Sequence, residues 1–217
     1  MRGSRGSSMR LPPRWPPMTP DVEIPALYER HALAFDGLRG RNLFERPWLD
    51  RFSALVPADG TVLDLGCGSG EPVAGNLIGR GYRLTGVDTS PTLIDLCRTR
   101  LPKQQWIVRD MRRLPPGRTF GGIIAWHSFF HLNPHDQRAM FPIFAYLSAP
   151  GAALMFTAGH FAGVAMGEFA GEPLYHASLA HEEYAGLLSA NGFRVVEQVT
   201  QDPACGGATV WLAQRRA

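Results

Sequence analysis

The sequence predicts an α/β fold with a doubly wound, mostly parallel sheet and helices on both faces, on three observations. From residue 61 onward, short apolar runs alternate with helical segments, the pattern of parallel strands joined by crossover helices. The run Val62-Leu63-Asp64-Leu65-Gly66-Cys67-Gly68-Ser69-Gly70-Glu71-Pro72 reads as a strand, a glycine turn and a helix start, the nucleotide-cradling unit of such sheets. Residues 193–200 and 208–214 read as two strands joined by a Pro/Gly turn, which places an antiparallel strand near one edge.

In chain order, residues 1–20 form a basic, proline-rich tail, expected to be disordered because it lacks the apolar residues a core needs. Residues 21–60 hold two cap helices. The first, 25–38, presents Leu27, Tyr28, Phe35 and Leu38, and the second starts near Pro47 and carries Trp48, Leu49 and Phe52. Residues 61–217 form the main domain. Its predicted elements are strand Thr61–Leu65, helix 71–80, strand 83–87, helix Pro91–Arg100, strand Gln105–Val108, strand 121–126, helix Pro134–Leu147 and strand 152–157. Pro142 is expected to kink or split the helix that contains it. Residues 158–179 show no period and read as a long connection, and a helix over 181–191 is stopped by Gly192 at a C′ position.

The chain of 217 residues carries a net charge of +3, but the excess is local. Four of the 22 basic residues, Arg2, Arg5, Arg10 and Arg14, lie in the first twenty positions, which hold no acid. The remaining 18 face 19 acidic residues, so the folded part has no bulk cationic field for nucleic acid or an acidic membrane. No apolar run is long enough to cross a bilayer. The three cysteines, Cys67, Cys97 and Cys205, are far apart and have no metal-ligand spacing, as expected for reduced thiols in a cytoplasmic protein that uses no metal.

The chemistry sits where adjacent strands end. Gly66, Gly68 and Gly70 let the backbone turn sharply and a ligand approach closely. Asp88 ends the second strand, at the distance where an acid accepts hydrogen bonds from ribose hydroxyls; Thr89 and Ser90 are free to cap the next helix. Asp110 follows the third strand, placed to accept from an adenine amino group, with Met111 against the ring. A dinucleotide fingerprint would need glycine where this chain has Glu71, and Asp64 and Glu71 beside the turn oppose a pyrophosphate. Acids suit a cationic ligand, and S-adenosylmethionine carries an ammonium and a sulfonium with no phosphate.

These segments, 62–72, 84–90, 108–111 and 120–126, resemble the class I S-adenosylmethionine-dependent methyltransferases, in particular the small-molecule group that includes ubiquinone/menaquinone-type enzymes. The E/D-x-G-x-G-x-G pattern stands here as Asp64-Leu65-Gly66-Cys67-Gly68-Ser69-Gly70. The resemblance implies a Rossmann-like seven-stranded sheet with an antiparallel last strand. It also implies S-adenosylmethionine as cofactor, with S-adenosylhomocysteine as product. The glycine loop would hold the methionine part, Asp88 and Thr89 the ribose, and Asp110 with Met111 the adenine. Trp126 would line the methyl-donor end, and Tyr28, Arg39 and Arg41 of the cap helices are candidates for the cofactor carboxylate.

Methyl transfer needs an aligned nucleophile, a dry site and, for a protonated nucleophile, a base. The candidates are His127 and His131 after the fourth strand, His160 after the fifth, and His176 in the long connection. Phe129, Phe130 and Phe161 are available to wall a pocket, and residues 158–180 are expected to form an acceptor lid. The expected activity is methyl transfer to O, N, S or C of a small molecule by a monomer or homodimer. The alternatives are a nicotinamide-dependent oxidoreductase and a non-catalytic module that binds an adenosyl ligand.

Overall fold

The computed structural model describes residues 20–217, so the tail expected over 1–20 lies outside the described residues except for Pro20. A seven-stranded sheet has the order β3-β2-β1-β4-β5-β9-β8, and a separate hairpin pairs β6 with β7. The strands are β1 Thr61–Leu65, β2 Arg83–Asp88, β3 Gln105–Val108, β4 Phe120–Ala125, β5 Ser148–Ala158, β6 Gly163–Phe169, β7 Glu172–Ser178, β8 Phe193–Asp202 and β9 Ala208–Arg215. Strands β1 to β5 run parallel, and β9 lies antiparallel between β5 and β8. The order reverses between β1 and β4, which opens a crevice at the carboxyl ends of the strands.

Alternation along the strands divides the core into two layers. Val62, Leu84, Ile124 and Met155 face α3 (Arg46–Leu55), α4 (Val73–Gly79) and α5 (Pro91–Arg100), where Trp48, Phe52, Leu77 and Ile94 are buried. Leu63, Leu65, Ile123 and Phe156 face α6 (Pro134–Leu147) and α7 (His181–Ala190), packing on Phe141, Phe144 and Tyr184. Full burial of one such side chain contributes about 1.5–3 kcal/mol.

The bounds of β1, α5, β3 and α6 agree with the sequence reading. Pro142 does not split α6, and both it and Arg138, whose carbonyl would have accepted the missing N–H, are exposed residues. Gly192 follows the helix end with φ +78°, as its C′ role requires.

Four expectations need correction. The single cap helix over 25–38 is two, α1 (Pro20–Arg30) and α2 (Ala32–Leu38), with Pro25 inside the first. The break falls at His31, whose Nε2 bonds Glu172 Oε1 at 2.6 Å while Arg30 pairs with the same carboxylate. The helix expected over 71–80 begins only at Val73, because Glu71 and Pro72 belong to the turn and Pro72 stands at the cap. Strand β4 ends at Ala125, which frees Trp126 for the crevice.

The fourth correction concerns residues 158–179, which are not an irregular connection. They form the β6–β7 hairpin, turned at Ala170 (φ +52°) and Gly171 (φ +81°). Two left-handed residues between paired Phe169 and Glu172 match a tight hairpin turn, but Ala-Gly lacks the Asn-Gly or Asp-Gly signature. Ile24 of α1 packs against Tyr175 and Ala177 of β7, which brings cap and hairpin together over the crevice. Among the described residues no helix is long and apolar enough to cross a membrane.

Candidate active site

The glycine turn is fixed by the strand beside it. Gly66 and Cys67 both donate backbone N–H bonds to Val87 O, at 2.7 and 3.1 Å. Gly66, Gly68 and Gly70 have φ of +73°, +54° and +81°, where side chains with a Cβ are strained. A Cβ at Gly66 would collide with Ser128, and one at Gly68 would stand 3.2 Å from the Phe35 ring of α2.

Asp88 is held by backbone amides. Gly68 N donates to Oδ2 at 2.9 Å and Ser90 N to Oδ1 at 3.0 Å. The helix cap is Ser90, whose Oγ accepts from Leu93 N at 3.1 Å, so Asp88 keeps lone pairs for the crevice. Burial raises the Asp88 pKa, against the lowering by those amides. Glu29 of α1 accepts from the Ser90 hydroxyl and from Thr92 Oγ1 (2.7 Å), which ties the cap to the start of α5.

The crevice has three connected chambers. The outer one, about 110 Å³, is lined by Tyr28, Asp88, Thr89, Asp110 and Met111. The inner one, about 240 Å³, is lined by Arg39, Asp64, Cys67, Glu71 and Trp126. Both share Tyr28, Phe35, Gly66, Gly68, His127 and His131. The third, about 200 Å³, lies under the hairpin and meets the inner one at Phe130 and His176. His160 lines only this third chamber and is exposed.

The inner chamber favours a cation. Asp64 is 3% exposed, and among the described residues no cationic side chain pairs with it. Burial first, then the nearby Asp88, pushes its pKa up to about 7. Cys67 stays a neutral thiol, because burial and the neighbouring Cys97, Asp64 and Asp88 raise its pKa. The Trp126 indole N–H is buried with no hydrogen-bond partner among the described residues, and its side chain lines this chamber. A ligand with a cationic group and a hydrogen-bond acceptor satisfies both residues.

Asp64 also makes the free protein sensitive to pH. The unfolded chain loses this proton near the ordinary value of 3.8, whereas the native state keeps it to about 7. Native stability from this group therefore falls as pH rises from about 4 to 7 and is level above that. Asp64→Asn is expected to gain on the parent in ligand-free urea unfolding as pH is raised through this window. An equal difference between the two proteins at pH 5 and pH 8 would refute the assignment.

The four candidate histidines occupy different places. His131 is 8% exposed and both ring nitrogens are engaged, Nδ1 with Tyr175 O at 2.8 Å and Nε2 with Tyr28 Oη at 2.9 Å. A carbonyl can only accept, so Nδ1 carries the proton and Tyr28 donates to Nε2. Burial lowers His131 to about 3, opposed by the Tyr175 carbonyl, and burial raises Tyr28. His127 has φ +50° and its N–H donates to Thr157 Oγ1 at 2.8 Å. Its ring opens onto the outer and inner chambers; desolvation, then the charges of Arg39 and His176, lowers its pKa. His176 is half-buried with its pKa lowered by burial.

Two of the residues expected at the cofactor carboxylate are engaged within the protein. Arg41 donates to Asp36 Oδ1 and Arg39 O, both at 2.9 Å, and does not line the crevice. The cation on the inner wall is Arg39, held by the buried Glu45. Tyr28 lines the crevice, but its hydroxyl is already donated to His131. Asp110 and Met111 line the outer chamber, and Arg112 grips the Asp110 carboxylate through Nε (3.0 Å) and Nη2 (2.5 Å). Burial raises Asp110, but the bonds and charge of Arg112 outweigh it and the pKa is lowered. The sequence reading missed Glu29 and Phe35, since nothing local in a helix announces a contact with a distant strand end.

The methyltransferase-domain family matches residues 62–151, which carry the glycine turn, Asp88 and Asp110. Trans-aconitate 2-methyltransferase of Escherichia coli (strain 55989) is 34% identical over 96 residues, 43% of this chain and 36% of that protein. The chain thus spans about two fifths of the length of the curated relatives it matches. Among solved structures, 1,6-didemethyltoxoflavin-N1-methyltransferase of Burkholderia thailandensis, with bound 1,6-didemethyltoxoflavin and S-adenosylhomocysteine, is similar at TM-score 0.70 and 18% identity, covering 99% of both chains. Magnesium protoporphyrin IX methyltransferase of Synechocystis PCC 6803, with bound S-adenosylmethionine, is similar at TM-score 0.66 and 16% identity, covering 93% of this chain and 100% of that one.

Proposed function

We propose that this chain, which matches a methyltransferase-domain family over residues 62–151, is a class I S-adenosylmethionine-dependent methyltransferase that moves a methyl group from S-adenosylmethionine to O, N, S or C of a small molecule. The observation that carries the reading is the inner chamber. An unpaired buried Asp64, a free Trp126 N–H and a glycine cradle that a Cβ would fill together fit an aminoacyl group bearing positive charge. When bound, the cofactor supplies a methyl carbon made electrophilic by a positive sulfur.

The chain's own residues would do the rest. Asp88 with Thr89 would accept the ribose hydroxyls, and Met111 with Asp110 would pack and pair with the adenine. Gly66, Cys67, Gly68 and Gly70 would pass the methionine portion close to the backbone, with Arg39 beside its carboxylate. The cap helices, tied down through Glu29, and the β6–β7 hairpin as acceptor lid would exclude water, which the transfer requires. The reading includes a cytoplasmic monomer or homodimer acting on a small molecule and not on nucleic acid, supported by free thiols and the absence of bulk positive charge in residues 21–217.

Titration calorimetry with S-adenosylhomocysteine, S-adenosylmethionine and NAD tests the donor. The adenosyl compounds are expected to bind and NAD to give no heat. Tight NAD binding with silent adenosyl compounds would replace this reading with the nicotinamide-dependent one.

A further inference from the structure

The third chamber lies against the hairpin and shares Phe130 and His176 of its lining with the inner chamber. Four aromatic rings line it, Phe130 in contact with His176 at 5.1 Å between centroids and His160 with Phe161 at 4.7 Å. Among the described residues lining it there is no Asp, Glu, Lys or Arg. A carboxylate or ammonium placed there finds no opposite charge among these residues, whereas an aromatic ring gains apolar and ring contacts. A flat ring system packs well against such side chains. The volume of about 200 Å³ is more than ten times the ~10–15 Å³ that one water needs on the same measure, so the space suits an organic ring.

The histidines decide where a proton can go. His131 has both nitrogens bonded within the protein. His127 lines the outer and inner chambers only, and His160 the third only. His176 alone among them lines both the inner and the third chamber, at the junction where donor and acceptor would meet. It stands on β7 opposite Ala165 of β6, so the hairpin itself delivers it.

We propose that the acceptor is an uncharged, flat aromatic or heteroaromatic molecule with an ionisable N–H or O–H, seated under the hairpin, and that His176 takes its proton. This rests on S-adenosylmethionine being the donor. The acceptor's lone pair forms the new bond to the methyl carbon, and the carbon–sulfur bond breaks with its electrons going to sulfur. The acceptor proton passes to the neutral His176 imidazole and leaves to solvent once product departs.

The test uses the full chain with saturating S-adenosylhomocysteine and four probes by calorimetry: lumazine and 1-naphthol as flat neutral acids, citrate and spermidine as charged controls. Lumazine or 1-naphthol is expected to bind, and the charged pair to give no heat. Ala165→Trp, which fills the chamber beside His176, should weaken aromatic binding by roughly tenfold or more while S-adenosylhomocysteine affinity stays within about twofold. With S-adenosylmethionine, mass spectrometry should find the bound aromatic methylated, and His176→Gln should lower kcat by about tenfold or more with KM little changed. If S-adenosylhomocysteine itself fails to bind, the donor reading falls and takes this one with it. If it binds but neither aromatic does, or citrate binds as tightly, the acceptor class is wrong. Unchanged aromatic affinity in Ala165→Trp, or binding without methylated product, overturns the assignment of the chamber, and undiminished kcat in His176→Gln overturns the proton transfer.

Discussion

Asp88→Ala is expected to weaken S-adenosylhomocysteine binding by about 1.5–3 kcal/mol, the cost of losing hydrogen bonds to a charged group. That corresponds to roughly 10- to 150-fold in Kd. The side chain is prepared for a ligand before one arrives. Gly68 N and Ser90 N hold one carboxylate oxygen each, and Ser90 performs the capping that Asp88 would otherwise supply. Alanine removes both acceptors at once, so the glycine turn loses an anchor together with the ribose contact. Asp88→Asn preserves the shape and keeps one acceptor oxygen, and should fall between alanine and the parent. Calorimetry on variants shown by circular dichroism to be folded gives the comparison. A folded Asp88→Ala protein with undiminished affinity rejects the ribose role.

Gly66→Ala is expected to act on folding and binding together. The left-handed backbone at φ +73° costs a side-chain-bearing residue about 1–2 kcal/mol. The added methyl would also collide with Ser128, whose Oγ is fixed on Leu65 O at 2.6 Å, and overpacking of this kind costs about 1–3 kcal/mol. The combined loss of about 2–5 kcal/mol is a large share of a typical domain's stability. Urea unfolding should show the midpoint drop, with S-adenosylhomocysteine binding lost or severely weakened at temperatures where the variant is folded. Gly186→Ala is the control, since Gly186 lies inside α7 with ordinary φ and open space where the Cβ would go. A Gly66→Ala protein as stable as its parent would show that the turn relaxes, and that Ser128 does not fix its path.

Much of the sheet was legible in the sequence because its signals are local. Apolar runs of four to six residues bounded by Gly, Pro or Asp give β1, β2, β3 and β4 within a residue at either end. Pro91 and Pro134 mark helix starts because proline fits the first turn without a hydrogen bond to lose. The hairpin was not legible. Its outer face exposes Val164 and Met166, so no burial-driven alternation marks β6, and its turn is Ala-Gly. The split between α1 and α2 was equally hidden, because it coincides with Glu172 on the hairpin drawing in His31 and Arg30.

The sequence by itself determined the strand-end placement: Gly66 to Gly70, Asp88 and Asp110 end or follow their strands at spacings that chain geometry carries to the carboxyl end of the sheet. The fold decided the rest. Whether Arg39 or Arg41 faces the inner chamber depends on Asp36 and Glu45, each of which captures one of them. That His131 has no free ring nitrogen depends on Tyr28, 103 residues away, and on a carbonyl of the hairpin. Spacing along the chain fixes which groups end up near each other at consecutive strand ends. Which of them keeps a free lone pair or proton depends on partners from distant segments, and only packing brings those into reach.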